Sequence, residues 1–413
     1  MAKLNKFAAA VMLSFGAMTV ATTSVAAEKC PIEKRKNQAV GQTVGKKIQR
    51  SYKAYTEGNI DEALAILLEA NAKKNFDKAS VSRMLGNFYA EKNQLDKAYV
   101  QLKQAADLDV LGGTEHADTL KLVGIIAVQT EKFKEGIKYF NKWLAFSCKE
   151  DADIYRLLAA SYSQIKDWDN ALKTADKGIK ASEKPNKNFY NIKVNAYYNK
   201  KQLKNAVKVL ETAVQLFPSD PSFWKQLAQF YLATENYKKS LQTYDLAYKA
   251  GFIESKSDIT KLSQLMSQEA PYHAAKLFEK HMKSGVIEKN EANIKMLAGF
   301  YQGAKDFRTA AKYFGQAADI TKDASLYMKQ GQLLTIVQRY SDAIKAFNTA
   351  LKSGLKAKGK AHFELANAYL GLKQYKRAYN NAKLATSDKQ VGKHAKSLIP
   401  YIKEKARINN ITL

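Results

Sequence analysis

The sequence predicts an all-α protein, an α-solenoid built from about ten helix-turn-helix repeats. Three observations carry this. Ala, Leu, Lys and Gln are abundant while only 6 of 413 residues are Pro, which favours long uninterrupted helices over β-rich architectures. Hydrophobic residues make up 46% and charged residues 26%, enough apolar surface for a real core. Finally, one pattern recurs along the chain. A small residue flanked by large ones stands at Ala63, Ala98, Gly136, Ala171, Ala206, Ser240, Ala275, Ala310, Ala343 and Ala378, at intervals of 35, 38, 35, 35, 34, 35, 35, 33 and 35.

The N-terminus comes first. Lys3 and Lys6 precede an apolar stretch from Phe7 to about Ala21 and the small residues Val25, Ala26 and Ala27. This predicts a secretory signal peptide over 1–27, cleaved near Ala27, and a periplasmic location for the mature protein. The apolar stretch is short for a membrane anchor, and no later segment approaches the roughly 20 apolar residues of a span. Ala27, Glu28 and Lys29 precede Cys30, and this charged pair rejects a lipobox, so a lipoprotein is not expected. Cys148 is the other cysteine. Export to an oxidising compartment makes a structural disulfide between Cys30 and Cys148 reasonable, with two free thiols the alternative. Residues 28–43, with Lys29, Lys34, Arg35 and Lys36 against Glu28 and Glu33, read as a solvated basic arm or as a tether to an anionic envelope surface.

Next come the repeats. Leu85, Gly86, Tyr89, Leu95, Ala98, Leu102 and Ala105 form a clear copy, as do Trp224, Leu227, Ala228, Tyr231, Tyr237, Ser240, Tyr244 and Ala247. Weaker copies are centred on Ala63 and Ala275. Two places depart from the pattern. The run "DLDVLGGTEH" between Ala105 and Leu120 lengthens one connection by about three residues, which predicts a longer loop or a local change of pitch. The copy around Ala275 has Ser263 and Met266 where Gly and Tyr are usual, and Pro271 suits the start of its second helix. These irregularities suggest an N-terminal array over 44–250, a C-terminal array over 251–390, and a capping helix and tail over 391–413.

The repeated pattern resembles the tetratricopeptide repeat (TPR), a pair of antiparallel helices about 34 residues long, over roughly residues 44–390. The resemblance implies a right-handed superhelix in which small residues let the two helices of a pair approach closely while stacking buries a shared core.

Catalytic and metal signals are weak. His273 and His281 are eight apart and lack acidic company at a metal-ligand spacing. In "VGQTVGKK", Gly41 and Gly45 are separated by three residues where a phosphate loop needs four, and Lys47 stands where it needs Ser or Thr. Neither an enzyme nor a cofactor is expected.

The formal charge of +28 points to an acidic partner, and export argues against nucleic acid. In TPR proteins the first helix of each pair lines a concave groove. The resemblance therefore implies a partner-binding groove at Arg83, Asn87, Lys121, Arg156, Asn191, Asn195, Lys225, Gln229, Lys295 and Asn367. Its bases and amides suit an extended or acidic segment of an envelope protein. Arg83 and Asn87 resemble the start of a carboxylate clamp, but Asp118 and Leu122 stand where its further bases belong.

With its leader, the cysteine after it and the repeat layout, the chain is similar to exported TPR proteins associated with TonB energy-transduction systems of gammaproteobacteria. That resemblance implies a non-catalytic periplasmic scaffold beside a TonB, ExbB and ExbD complex. The alternative is an envelope assembly factor that holds an anionic polymer such as peptidoglycan or lipopolysaccharide.

Overall fold

The structure of the protein, a computed structural model, describes residues 30–413; the expected signal peptide over 1–27 lies outside the described residues. Among the described residues every regular element is a helix. The chain divides into two units, the first ending at Glu183 and the second running Lys184–Leu413.

Unit 1 begins with the short α1 (Pro31–Lys34). Four helical pairs follow: α2 (Gln42–Thr56) with α3 (Ile60–Leu68), α4 (Asn75–Glu91) with α5 (Leu95–Asp107), α6 (Gly113–Gln129) with α7 (Phe133–Ser147), and α8 (Ala152–Gln164) with α9 (Trp168–Ala181). Unit 2 contains six pairs: α10 (Lys187–Asn199) with α11 (Leu203–Leu216), α12 (Pro221–Ala233) with α13 (Tyr237–Lys249), α14 (Lys256–Glu269) with α15 (Pro271–Lys283), α16 (Glu291–Gly303) with α17 (Phe307–Thr321), α18 (Ala324–Ile336) with α19 (Tyr340–Lys352), and α20 (Lys358–Gly371) with α21 (Tyr375–Ala385). The final α22 (Gly392–Ile408) sets Ile402 and Ala406 against Tyr375, Ala378 and Ala382. The protein is thus an all-α helix-turn-helix repeat solenoid of about ten TPR-like repeats.

The turn inside nine of the ten pairs has one construction. Asn93, Glu131 and Lys166 in unit 1, and Lys201, Glu235, Lys305, Gln338 and Lys373 in unit 2, hold φ between 55 and 61°. The next residue sends its N–H back across the turn, as Gln94 does to the Tyr89 carbonyl (2.8 Å) and Asn236 to that of Tyr231 (2.8 Å). This is a Schellman stop, which satisfies a carbonyl at the helix end. The same residue then starts the second helix: Asp167, Asn236 and Asp306 each accept an N–H from the first turn with their side chains. The pair around Ala275 differs, because α14 reaches Pro271 through Ala270 alone and Pro271 occupies the first position of α15.

All ten small residues of the repeat pattern are buried. Where the facing position is Gly, a large partner side chain fills the space, Leu102 against Gly86 and a ring at two others. A Cβ on Gly124 would come within 2.6 Å of Phe140 in unit 1, and one on Gly331 within 2.5 Å of Phe347 in unit 2. Ser240 keeps its hydroxyl satisfied by donating to the Ala228 carbonyl at 2.8 Å. Tyr237, expected among the packing residues, is instead 59% exposed.

The division between the two units falls at 183/184, within the expected N-terminal array over 44–250. A single core in unit 2 joins Tyr244 and Ala247 on α13, Ile253 in the connection, and Ile259 and Leu262 on α14. A continuous apolar core leaves no weak seam there.

The arm over 28–43, expected to be solvated, is docked where the structure describes it. Cys30 is bonded to Cys148, with the Cα atoms 6.0 Å apart. Arg35 pairs with Asp109 at 2.9 Å and lies 4.9 Å above the Phe146 ring. Gln38 donates to the Val110 carbonyl at 3.4 Å, and the Gly41 N–H donates to Asp77 at 2.8 Å. The lengthened connection "DLDVLGGTEH" is the surface this arm crosses. A Cβ on Gly112 would collide with the Asn37 amide, and one on Gly113 with the Ile32 carbonyl.

Candidate functional site

The first helices α2, α4 and α6 of unit 1 and the docked arm enclose a cavity of about 670 Å³. Its floor is apolar. Tyr55 and Phe88 stack with centroids 4.8 Å apart, and Phe76, Met84 and the fully buried Leu111 continue it. The rim is polar, with Asn87 exposed on α4 and the Arg83–Glu115 pair (3.2 Å) bridging α4 to α6. Glu91 stands beside the Tyr55 hydroxyl and raises its pKa above the ordinary phenol value. Residues Asn37 to Val40 of the arm form the remaining wall. A volume within the roughly 300–1,000 Å³ of ligand clefts, with an apolar floor and a few polar groups at its edge, suits an inserted side chain and a main chain passing over it.

Of the groove residues expected from sequence, this cavity brings together Arg83 and Asn87. The others lie elsewhere, and the bases among them are already paired. Lys121 meets Asp151 at 3.4 Å and also lies 5.5 Å from the Trp143 ring centroid, while Arg156 meets Asp153 at 3.4 Å. In unit 2, Lys225 meets Asp258 at 3.7 Å and Lys295 meets Glu291 at 3.1 Å. Asn191 and Gln229 are exposed, Asn367 is half-buried, and Asn195 accepts a bond from Asn199 at 2.9 Å.

Several of these pairs share one logic: a base on one first helix reaches an acid near the start of the next. Arg83–Glu115 and Lys121–Asp151 do so in unit 1; Lys187–Asp220 (3.0 Å), Lys225–Asp258 and Lys256–Glu288 (3.3 Å) do so in unit 2. The series is neutral pair by pair, so it is not the unpaired basic strip that would favour an acidic segment.

Second helices absorb charge in a related way. Asp107 accepts from Lys103, from Tyr139 at 2.7 Å and from Lys142 at 3.3 Å. Burial pushes its pKa up, but those bonds hold it down at about 2. Glu279 does the same with Lys283, Tyr301 and Tyr313 and is also held at about 2.

Sequence reasoning missed Tyr52, Tyr55 and Phe76, and the arm as a wall. Tyr52 and Tyr55 fall in the weak copy centred on Ala63, where an aromatic pair reads as repeat packing. The doubled glycine at 112 and 113, in a connection longer than its counterparts, was the available signal for a chain crossing there.

Among the described residues no cluster of three or more His, Cys, Asp and Glu is placed to hold a metal ion, and no helix is long and apolar enough to cross a membrane. The all-helical repeat is a scaffold fold, consistent with a non-catalytic protein.

Residues 34–296 match the family model for ChAPs, the Chs5p-Arf1p-binding proteins, and residues 328–382 match a tetratricopeptide repeat model. No curated protein matches. Among solved structures, MamA from Desulfovibrio magneticus RS-1 is similar at 17% identity, covering 43% of this chain and 97% of its own, with a TM-score of 0.36. A tetratricopeptide repeat protein from Parabacteroides merdae is similar at 14% identity over 79% of this chain and 99% of its own, TM-score 0.37. The TPR2AB domain of yeast Sti1, solved in complex with pHSP90, is similar at 18% identity over 62% of this chain and 98% of its own, TM-score 0.33. With TM-scores below 0.5, these likenesses carry no argument about this chain.

The family match corrects part of the sequence reading. It does not support the periplasmic location expected for the mature protein. It supports neither an accessory role beside TonB, ExbB and ExbD nor an envelope protein, peptidoglycan or lipopolysaccharide as partner. The described features that suggested the TonB systems have local explanations: Cys30 pins the arm, and the repeat layout is shared by any stack of helical pairs. What stands is a TPR-like protein-interaction scaffold. Because the match spans well over half of the sequence, the chain belongs to the ChAPs family, the Chs5p-Arf1p-binding proteins.

Proposed function

We propose that the protein is an intracellular, non-catalytic scaffold that binds an extended segment of a partner protein in the unit 1 cavity. The observation that carries this reading is the cavity itself: an apolar floor of Tyr55, Phe88, Met84 and Leu111 beneath a rim of amides and one ion pair. An aromatic or long aliphatic side chain would insert against that floor. Asn87 can donate to and accept from the passing main chain. The family's description as proteins that bind other proteins supports a protein partner. Since Arg83 is already paired with Glu115, apolar insertion contributes more to recognition than charge does.

Panning a displayed library of random 12-residue peptides against the full chain tests this. The reading expects peptides with a large apolar residue whose affinity falls at least tenfold, about 1.4 kcal/mol, in Tyr55→Ala and Asn87→Ala. Their affinity should change little with salt. Recovered peptides indifferent to both substitutions, or a steep salt dependence, would overturn the reading.

A further inference from the structure

The arm that walls the cavity has almost no core of its own. Among its residues, α1 buries none, Asn37, Gln38 and Ala39 are exposed, and Ile32 is only partly buried against the α6 and α7 core. It is held at intervals instead: by the Gly41–Asp77 hydrogen bond at one end, by Gln38 and Arg35 on the 109–110 connection, and by the Cys30–Cys148 bond at the other end. Only the Gly41–Asp77 bond reaches a buried carboxylate; the Gln38 bond and the Arg35–Asp109 ion pair lie at solvent-facing positions and contribute little against the conformational entropy of ordering a segment of this length. The covalent bond is what keeps the far end in place. Its seat is nevertheless built for it, because side chains at Gly112 and Gly113 would collide with Asn37 and Ile32. Cys148 is exposed, so a soluble thiol can reach its sulfur.

We propose that residues 30–41 are a thiol-controlled wall of the cavity: reducing the Cys30–Cys148 bond releases the arm and opens the floor between α2, α4 and α6. This rests on reading the cavity as a binding site, and it adds how that site is regulated. The reductant is a dithiol. One of its thiolates attacks the Cys148 sulfur, the S–S bond breaks, and Cys30 leaves as a thiolate that takes up a proton. The second thiol of the reductant then attacks the mixed disulfide and frees Cys148. Two electrons and two protons pass to the protein cysteines, and the reductant becomes a cyclic disulfide. In a compartment that keeps thiols reduced, the wall would stand open except under oxidation.

The test compares the full chain oxidised and after treatment with dithiothreitol, using two readouts that need no ligand. Hydrogen exchange of amides 32–41 should accelerate at least tenfold on reduction, while those of α16–α19 stay unchanged. Hydroxyl-radical labelling of Met84 and Tyr55 should rise at least twofold. Gly112→Val, with the disulfide intact, should reproduce the labelling increase by displacing Asn37. If exchange in the arm or labelling of Met84 is unchanged by reduction, the proposal is wrong. If both respond but no library peptide binds in either state, the latch stands and the peptide-binding reading falls.

Discussion

Units 1 and 2 are made from the same helical pair, with the same Schellman turns and the same base-to-acid pairs between successive first helices. They differ in what is laid over the repeats. Unit 1 carries a docked arm, a disulfide and a walled cavity. The main core of unit 2 runs from Ala228 to Ala368 along the stack itself. The comparison teaches that the repeat supplies stability wherever it stacks, whereas the candidate site arises where a non-repeating segment is added to it.

The sharpest way to break this comparison is in the unit 2 core. Phe347 is fully buried against Gly331, and Phe347→Ala should cost about 3–5 kcal/mol. Denaturant unfolding followed by hydrogen exchange should place the loss in α17–α20 and leave α4–α7 protected. Equal loss in both would mean that the units do not unfold separately. The disulfide comes next. It closes a sequence separation of 118, and Cys148→Ser should cost unit 1 about 2–4 kcal/mol under oxidising conditions and nothing after reduction. Identical melting curves in the oxidised state would remove the bond from the account of stability.

A third effect concerns pH. His116 is 3% exposed, and its Nδ1 has no hydrogen-bond partner. Burial holds its pKa down to about 4; Asp109 opposes this, while Arg35 and Lys142 reinforce it. The folded value lies below the ordinary 6.5, so the unfolded chain takes up the proton first. Stability is fully present above about pH 6.5 and is lost as pH falls towards 4, by on the order of 1–2 kcal/mol between pH 7 and 5. His116→Gln should flatten that slope in urea titrations at the two pH values. The smallest effect returns to unit 2. A Cβ on Gly299 meets nothing within 4 Å, so Gly299→Ala should stabilise α16 by about 0.5–1 kcal/mol, whereas Gly331→Ala should destabilise α18. The same sign at both sites would mean that Phe347 yields more readily than its packing implies.

The fold was legible because its cause is periodic. Spacing in steps of about 35 requires buried small residues opposite large ones, and Ala98, Ala171 and Ala310 are all fully buried. The site was legible only in part, because its cause is not periodic. Arg83 and Asn87, which line the candidate cavity, are singled out by their place in the repeat. Tyr55 and Phe76 are not, since they matter through an arm contributed from outside the pattern. The bases at Lys121 and Lys225 were located, but their acids, Asp151 and Asp258, sit one repeat further on and cancel them. Net charge read from sequence does not show such cancellation. The weak copy around Ala275 still packs Ser263 and Met266 into a core that continues past them.

The arm is also a ruler. Gly41 touches the start of the second pair, Gln38 the connection before the third, and Cys30 the connection before the fourth. Deleting or duplicating a pair between Asp77 and Cys148 would put the cysteines out of reach, so the number of pairs in that stretch is fixed by the length of the arm. The base-to-acid pairs of unit 2 impose no such count, because α12 and α14 each take a base from the first helix before and offer one to the first helix after. Gain or loss of whole repeats should be tolerated in that half of the chain and rejected in the other.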